Sequence, residues 1–165
     1  MDLIMTKHFG RKGIIHTTSY YQLNFIRTQL SAENRRRLIV TDPEVSRDDV
    51  IREHIESSED TVLISPPLHL GLDLKDDLSR FQVIVKVPYP DGSDRWIEAK
   101  SERDQEWYNW QTALNLVQSY GRSIRSKDDW AITYILDSTI SSFLSRNKAM
   151  LPNWFREAIQ SGRVR

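Results

Sequence analysis

The stretch Gln118-Ser119-Tyr120-Gly121-Arg122-Ser123-Ile124-Arg125 concentrates more potential chemistry than any other part of the chain. Gly121 breaks a helix, and two guanidinium groups then follow three positions apart, Arg122 and Arg125. Planar, permanently charged forks suit phosphate oxygens, and the Gln118 amide one turn back can hold a phosphate or an attacking water. Taken alone, R-x-x-R is better explained by a capped helix and a basic loop facing solvent. A second stretch, His69-Leu70-Gly71-Leu72-Asp73, follows an apolar run and the Pro66-Pro67 break. Gly71 permits close backbone approach to a ligand, and Asp73 can accept from a ribose hydroxyl or pair with an arginine. Asp73 as a first-turn acid of an ordinary helix explains the same residues.

Other constellations offer weaker chemistry. Pro90-Asp91 followed by Glu98-Ala99-Lys100 fits the loose P-D…E-x-K pattern of metal-dependent nucleases, in which two carboxylates bind Mg²⁺ and a lysine orients water. That pattern needs its E-x-K on a strand, whereas residues 94–103 read as a helix. His8, His16, His54 and His69 lack ligand spacing, so no metal site is expected. Trp107 and Trp110 join Leu114 and Val117 in a helical stripe that reads as core, which leaves Trp96, near a strand-end loop, as the aromatic best placed to stack on a base. A serine hydrolase has no G-x-S-x-G elbow to stand on.

These residues must be held by something, and the periodicity says what. Short apolar runs at Gly13–Thr18, Arg37–Thr41, Thr61–Ser65, Phe81–Val87 and Trp130–Leu136 read as strands, continuous rather than alternating, as strands covered on both faces are. Between them lie helical patterns: Ser19–Leu30 with Leu23, Ile26 and Leu30; a helix capped by Ser46 with Val50, Ile51 and Ile55 inward; a segment from Asp94; and Gln105–Tyr120. A helix with Ile140, Phe143 and Leu144 follows Asp137, and a short one opened by Pro152 turns Phe155 and Ile159 inward. The expected fold is α/β: three layers, with a mostly parallel sheet of at least five strands and helices on both faces. In such sheets ligands gather beyond the carboxyl ends of the strands.

At 165 residues the chain is one domain's length, enough to bury roughly 70% of its unfolded surface. With 39% hydrophobic and 28% charged residues it lies in the globular range. The absence of cysteine excludes disulfides, thiolate metal sites and thiol nucleophiles, and fits a reducing, cytoplasmic setting. No run approaches the roughly 18 apolar residues of a membrane span. Lys and Arg total 23, as do Asp and Glu, so the net charge is zero and any contact with nucleic acid must be local. The basic run Arg35-Arg36-Arg37 reads as a solvated face.

Together, Q-x-x-G-R-x-I-R at Gln118 to Arg125, G-x-D at Gly71 and Asp73, and Thr18-Ser19-Tyr20 after the first strand resemble motifs VI, V and IV of superfamily 2 helicases. More narrowly, the chain resembles the second RecA-like motor domain of XPD/DinG-type DNA helicases from about Gly13 to Leu144. Arg125 to Ala131 resembles that family's R-x-x-x-D-x-G stretch. Two positions depart from the family pattern: Leu70 replaces a glutamate before G-x-D, and Ala131 replaces a glycine.

The resemblance implies an ATP-driven motor on single-stranded DNA, in a setting such as DNA repair, with ATP and Mg²⁺ held between two such domains. Arg125 would be the finger on the γ-phosphate, Arg122 would assist, and Gln118 would line the same phosphates beside Gly121. Gly71 and Asp73 would link the nucleotide to the grip on DNA, while Ser19, Tyr20 and Trp96 would lie along the DNA track. Neither a G-x-x-x-x-G-K-[ST] loop nor an Asp-Glu-Ala-His-like box is present. The expectation is therefore a single C-terminal domain over residues 1–165, with a core at about 13–146 and a helical tail. Its N-terminal motor partner lies outside this chain, and the domain alone is inactive. The rival from another class is a helicase-like module that binds nucleic acid or protein without catalysis.

Overall fold

Four of the five apolar runs are too short and too uniformly apolar for an amphipathic helix, and each becomes a strand buried on both faces or next to one that is. In the computed structural model, which describes residues 1–41, 45–66, 74, 76–121, 123 and 129–160, β1 spans Gly13–His16, β2 Leu38–Val40, β3 Val62–Ser65, β4 Phe81–Ile84 and β5 Ile132–Ile135. They form one sheet in the order β2-β3-β1-β4-β5 with every pairing parallel. Ile14 sits opposite Leu63 on one side and Gln82 on the other. β1, β3 and β4 are buried throughout, whereas β5 is a half-exposed edge, so its continuous apolar run does not mean cover on both faces.

Alternation along the strands sorts the core into two layers. Ile15, Val62, Ile64, Phe81 and Val83 face α1 (Asp2–Lys7) and α2 (Tyr20–Gln29), which contribute Ile4, Met5, Leu23 and Ile26. Ile14, Ile39 and Leu63 face α4 (Arg47–Glu56) through Val50. On that same side, Ile84 meets α6 (Gln105–Tyr120), α7 (Ile140–Arg146) and α8 (Asn153–Ala158) through Leu116, Phe143 and Phe155. The remaining helices are α3 (Ala32–Arg36), beside α1, and α5 (Arg95–Arg103), which packs on α6. This is the expected three-layer α/β architecture with a parallel five-stranded sheet.

Several details differ from the periodicity reading. Residues 1–12 carry a helix of their own, α1, which the sequence pattern does not announce, and Ile4 and Met5 are fully buried on the sheet. Arg37, the last of the basic run, is also buried, not solvated. Its guanidinium donates to the carbonyls of Met5, His8 and Arg11 at 2.8–3.1 Å and pairs with Asp60 at 2.9 Å. It thereby satisfies the open carbonyls at the end of α1. On α4 the inward residue after Val50 is His54, and Ile55 is exposed. On α6 the buried face is Thr112, Ala113, Leu116 and Ser119, not the Trp107/Trp110 stripe, and Trp110 is half exposed. Close approach of the helix to its neighbours favours small residues, which turns the larger rings outward. Ile159 ends exposed beyond α8.

Candidate functional site

The two groups of candidate residues leave the sheet from opposite edges. At the carboxyl ends of the strands, β1 runs into Thr17 and Thr18 and then Ser19, the N-cap of α2. Ser19 Oγ accepts from Gln22 N–H at 3.2 Å while Gln22 Oε1 accepts from Thr18 N–H at 3.0 Å, a reciprocal S-x-x-Q cap that fixes the loop. Tyr20, the first helical residue, is exposed. Thr17 and Thr41 lie buried beside Ser65, whose Oγ is 2.7 Å from Thr41 Oγ1. The chain leaves β1 toward α2 on one face and leaves β4 toward α5 and α6 on the other, so the topology switches between the ends of β1 and β4, where parallel sheets hold their ligands.

Trp96 belongs to this side as well. Asp94 accepts from the Trp96 and Ile97 N–H groups and starts α5, and Trp96 is 65% exposed, edge-on to Trp107 at 5.5 Å. Because Glu98 and Lys100 are on that helix and Lys100 Nζ bonds Asp104, the strand required by the nuclease pattern is not there.

Gln118 and Gly121 lie instead at the amino ends of the strands, because α6 runs antiparallel to the sheet and delivers its last turn beside the start of β4. This departs from the carboxyl-end rule. Gln118 is exposed on that last turn. Gly121 caps the helix at φ −71°, a conformation open to any residue, and its N–H donates to Val117 at 3.0 Å. A helix C-terminus presents carbonyls, not N–H groups, so α6 cannot cradle phosphate with its backbone. Donors to a phosphate here must come from side chains, and the exposed Gln118 amide is one. Arg122, Arg125, Gly71 and Asp73 lie outside the described residues.

What the structure does describe is how their neighbours are held. Gln82, an amide buried in the middle of β4, donates to the Tyr120 carbonyl at 2.7 Å and to Thr133 Oγ1 at 2.8 Å, and its Oε1 is 3.2 Å from His16 Nε2. Ser79 and Ser123 meet through their buried hydroxyls. Arg80 donates to Asp129 Oδ1 at 2.8 Å, to Asp77 Oδ1 at 2.8 Å and to the Trp130 carbonyl at 3.0 Å. Desolvation opposes the Arg80 charge, but the two carboxylates outweigh it and raise its pKa further. Asp129 Oδ2 also faces the Asp76 N–H at 3.5 Å, and Asp76 adopts a left-handed φ of 57° three residues after Asp73. Arg11 and Arg80 both approach the Trp130 ring, at 5.3 and 5.0 Å from its centre. None of Ser79, Arg80 or Gln82 is singled out by sequence reasoning. Gln82 alone left a trace, as an amide inside an apolar run.

Among the described residues no three His, Cys, Asp or Glu side chains gather to hold a metal ion, and no helix is long and apolar enough to cross a membrane. His8, His16 and His54 are each engaged separately, with Tyr134, Gln82 and the Leu78 carbonyl.

A parallel sheet in this strand order, with a helix end delivered to its amino edge, defines a RecA-like α/β domain. Over residues 3–158 the sequence matches the family model described as "Helicase C-terminal domain", and the chain belongs to that family. It is similar to the ATP-dependent DNA helicase chl1 of Schizosaccharomyces pombe, 31% identical over 66% of this chain and 15% of that protein. It is also similar to the Regulator of telomere elongation helicase 1 homolog of Caenorhabditis elegans, 30% identical over 54% of this chain and 10% of that protein. A solved XPD helicase shares the fold, with a TM-score of 0.65 and 21% identity over 89% of this chain and 29% of that one. The chain is thus a helicase C-terminal domain of the XPD/CHL1 type, and it spans about a tenth to a seventh of the curated relatives' length.

Proposed function

We propose that this domain completes the ATP site of a DNA helicase from one side while gripping single-stranded DNA with the other. The observation that carries the reading is the placement of the two candidate groups at opposite edges of one parallel sheet. Gln118 and Gly121, which precede Arg122 and Arg125 in the sequence, lie at the amino ends of the strands, while Ser19, Tyr20 and Trp96 belong to the carboxyl side.

Phosphoryl transfer leaves the protein mainly positioning and charge stabilisation to supply. Arg125 serves as the finger toward the γ-phosphate, Arg122 as its neighbour, and Gln118 as an amide donor. Gly71 and Asp73 connect the nucleotide to the DNA side. The N-terminal RecA-like domain of the motor supplies the phosphate loop and the Mg²⁺ ligands, neither of which the motifs of this sequence provide. ATP with Mg²⁺, when bound, supplies the transferred group and the neutralisation of its charge. This domain contributes donors and an orientation, and alone it turns over no ATP. Along the DNA, the exposed α2 amino end with Ser19 and Tyr20 meets backbone phosphates, and Trp96 offers a face for base stacking.

The test is DNA-stimulated ATP hydrolysis by the complete motor. Arg125→Ala lowers kcat by about 10³ to 10⁵, and Arg125→Lys fails almost as badly because an ammonium cannot reproduce a planar fork. Arg36→Ala, in the exposed part of the basic run, leaves the rate unchanged. Near-normal kcat in both Arg125→Ala and Arg122→Ala refutes the reading in favour of a non-catalytic binding module.

A further inference from the structure

The described residues around the stretch 121–129 are tethered by side chains at and just before the start of β4. Counting along the entry to β4, Ser79 bonds Ser123, Arg80 bonds Asp129 and the Trp130 carbonyl, and Gln82 bonds the Tyr120 carbonyl. These four tethers reach the near end, the interior and the far end of a segment whose other residues include Arg122 and Arg125. Three of them are wholly or partly shielded from water: Ser79, Ser123 and Gln82 are fully buried, the Asp129 side chain is 1% exposed and that of Arg80 15%; the contact to the Trp130 carbonyl is open to solvent.

Burial sets the strength and the stiffness of such contacts. A charge-assisted pair partly shielded from water keeps more of its Coulomb attraction than an exposed one, and removing Arg80 strands the buried Asp129 carboxylate. A buried amide with every donor and acceptor satisfied tolerates little displacement. One further contact leads toward the other motif: the second oxygen of Asp129 faces the N–H of Asp76, three residues after Asp73 in the sequence.

We propose that Arg80 and Asp129, backed by Ser79 and Gln82, are positioning residues of the ATPase: they hold the arginine-bearing segment in register with the exit of the G-x-D segment, so that finger and coupling loop move as one body. This rests on the reading of Arg125 as the finger. Arg80 and Asp129 touch no nucleotide; their effect travels through the segment they hold. A misplacement of about 1 Å at a finger costs about 10²-fold in rate, which sets the expected size of the effect.

The experiment measures kcat, KM for ATP and melting temperature of the complete motor, with single-stranded DNA as activator. Arg80→Gln and Asp129→Asn each lower kcat by about 10- to 100-fold with KM for ATP held within about twofold, and the double variant is no worse than the poorer single one. Asp77→Asn is the internal control. Asp77 pairs with the same guanidinium, but its carboxylate is 96% exposed and its pair is local, three residues away on the chain, so kcat stays near normal. Arg80→Lys, which keeps a charge toward Asp129, recovers part of the rate. If Asp129→Asn is not recovered folded, Ser79→Ala and Arg80→Lys carry the same test. Losses confined to melting temperature, or additive losses in the double variant, overturn the proposal. Arg125→Ala run in parallel separates the two claims. If it abolishes turnover while the clamp variants keep kcat, the clamp is structural and the finger stands; if it keeps turnover, the finger reading falls and the clamp's role with it.

Discussion

Gly13 is required by a neighbour, not by its backbone, and replacing it measures how tightly the sheet is locked to α1. A Cβ built on Gly13 would meet three ring carbons of Phe81 at 2.4, 2.5 and 2.7 Å, where ordinary carbon contacts lie at about 3.5–4.0 Å. The ring would have to retreat by about 1 Å. It has nowhere to go: the His8 ring stacks on it at 4.6 Å and 12°, and His8 is in turn held by the Tyr134 hydroxyl at 2.9 Å. Overpacking of this kind costs about 1–3 kcal/mol, and the upper end applies where the neighbour is backed on its far side. Alanine recovers about 0.5–1 kcal/mol through the smaller entropy of its unfolded chain. The net expectation for Gly13→Ala is therefore a loss of about 2 kcal/mol, or about 4–8 °C in Tm for a chain of this length.

Urea denaturation of the purified domain, followed by tryptophan fluorescence, reads this directly. Phe81→Leu alone loses about 1–2 kcal/mol through the smaller buried side chain, but it also removes the ring carbons that Gly13→Ala strikes. The double variant is then more stable than the sum of the two losses by about 1 kcal/mol or more. A Gly13→Ala domain within about 0.5 kcal/mol of the parent, or strict additivity in the double variant, refutes the contact argument.

Two further outcomes follow from groups already described. His8 and His54 are buried and their pKa values are pushed down to about 4, chiefly by desolvation, from 6.5 when unfolded. Their depressed folded values make stability complete above about pH 7 and progressively lost as pH falls toward 4. Each accounts for about 2 kcal/mol between pH 8 and pH 5, so a flat urea midpoint across that range contradicts their burial as neutral rings. The isolated domain, with zero net charge and local contacts only, binds single-stranded DNA weakly, and its log K falls with log salt at a slope of about −1.4 to −2, as two or three phosphate contacts require. Fluorescence anisotropy at several salt concentrations checks it, and tight binding indifferent to salt favours the dedicated binding module.

Strand positions were readable because continuous apolar runs bounded by Pro, Asp or Ser leave few alternatives, and the parallel sheet followed from their alternation with helices. Helix faces are less legible in the sequence, for one physical reason: size is a poor proxy for burial. On α6 the chain buries Ala113 and Thr112 against its neighbours and turns Trp110 outward; on α4 it buries His54 and exposes Ile55. A small or polar residue at a tight contact carries no periodic signal, although His54 is fully satisfied by Thr61 and the Leu78 carbonyl. Arg37 was hidden by its neighbours in the basic run, because sequence cannot distinguish a guanidinium that closes a helix end from one that faces water. For the candidate site, motif spacing identified the segment from Gln118 to Arg125, but its tethers at Ser79, Arg80 and Gln82 are some 40 positions away and invisible to spacing.

That distance bears on how a motor domain of this kind can work. A parallel sheet is a stiff plate, and β1 and β4, its central strands, touch both edges. β4 begins at the tethers of the arginine-bearing segment and ends at the loop that leads to Trp96; β1 ends at Ser19 and the amino end of α2. Gln82 and His16 join the two strands through their side chains as well as their backbones. On the proposed reading, a shift imposed on the amino edge by phosphate contacts reaches the carboxyl edge as rigid-body rotation, because a packed core has little compliance. The coupling between ATP turnover and movement on DNA then depends less on any relay of side chains across the domain than on the stiffness with which the arginine-bearing segment is fastened to β4. On the proposed reading, loosening that fastening lowers DNA-stimulated hydrolysis, and movement on DNA falls with it.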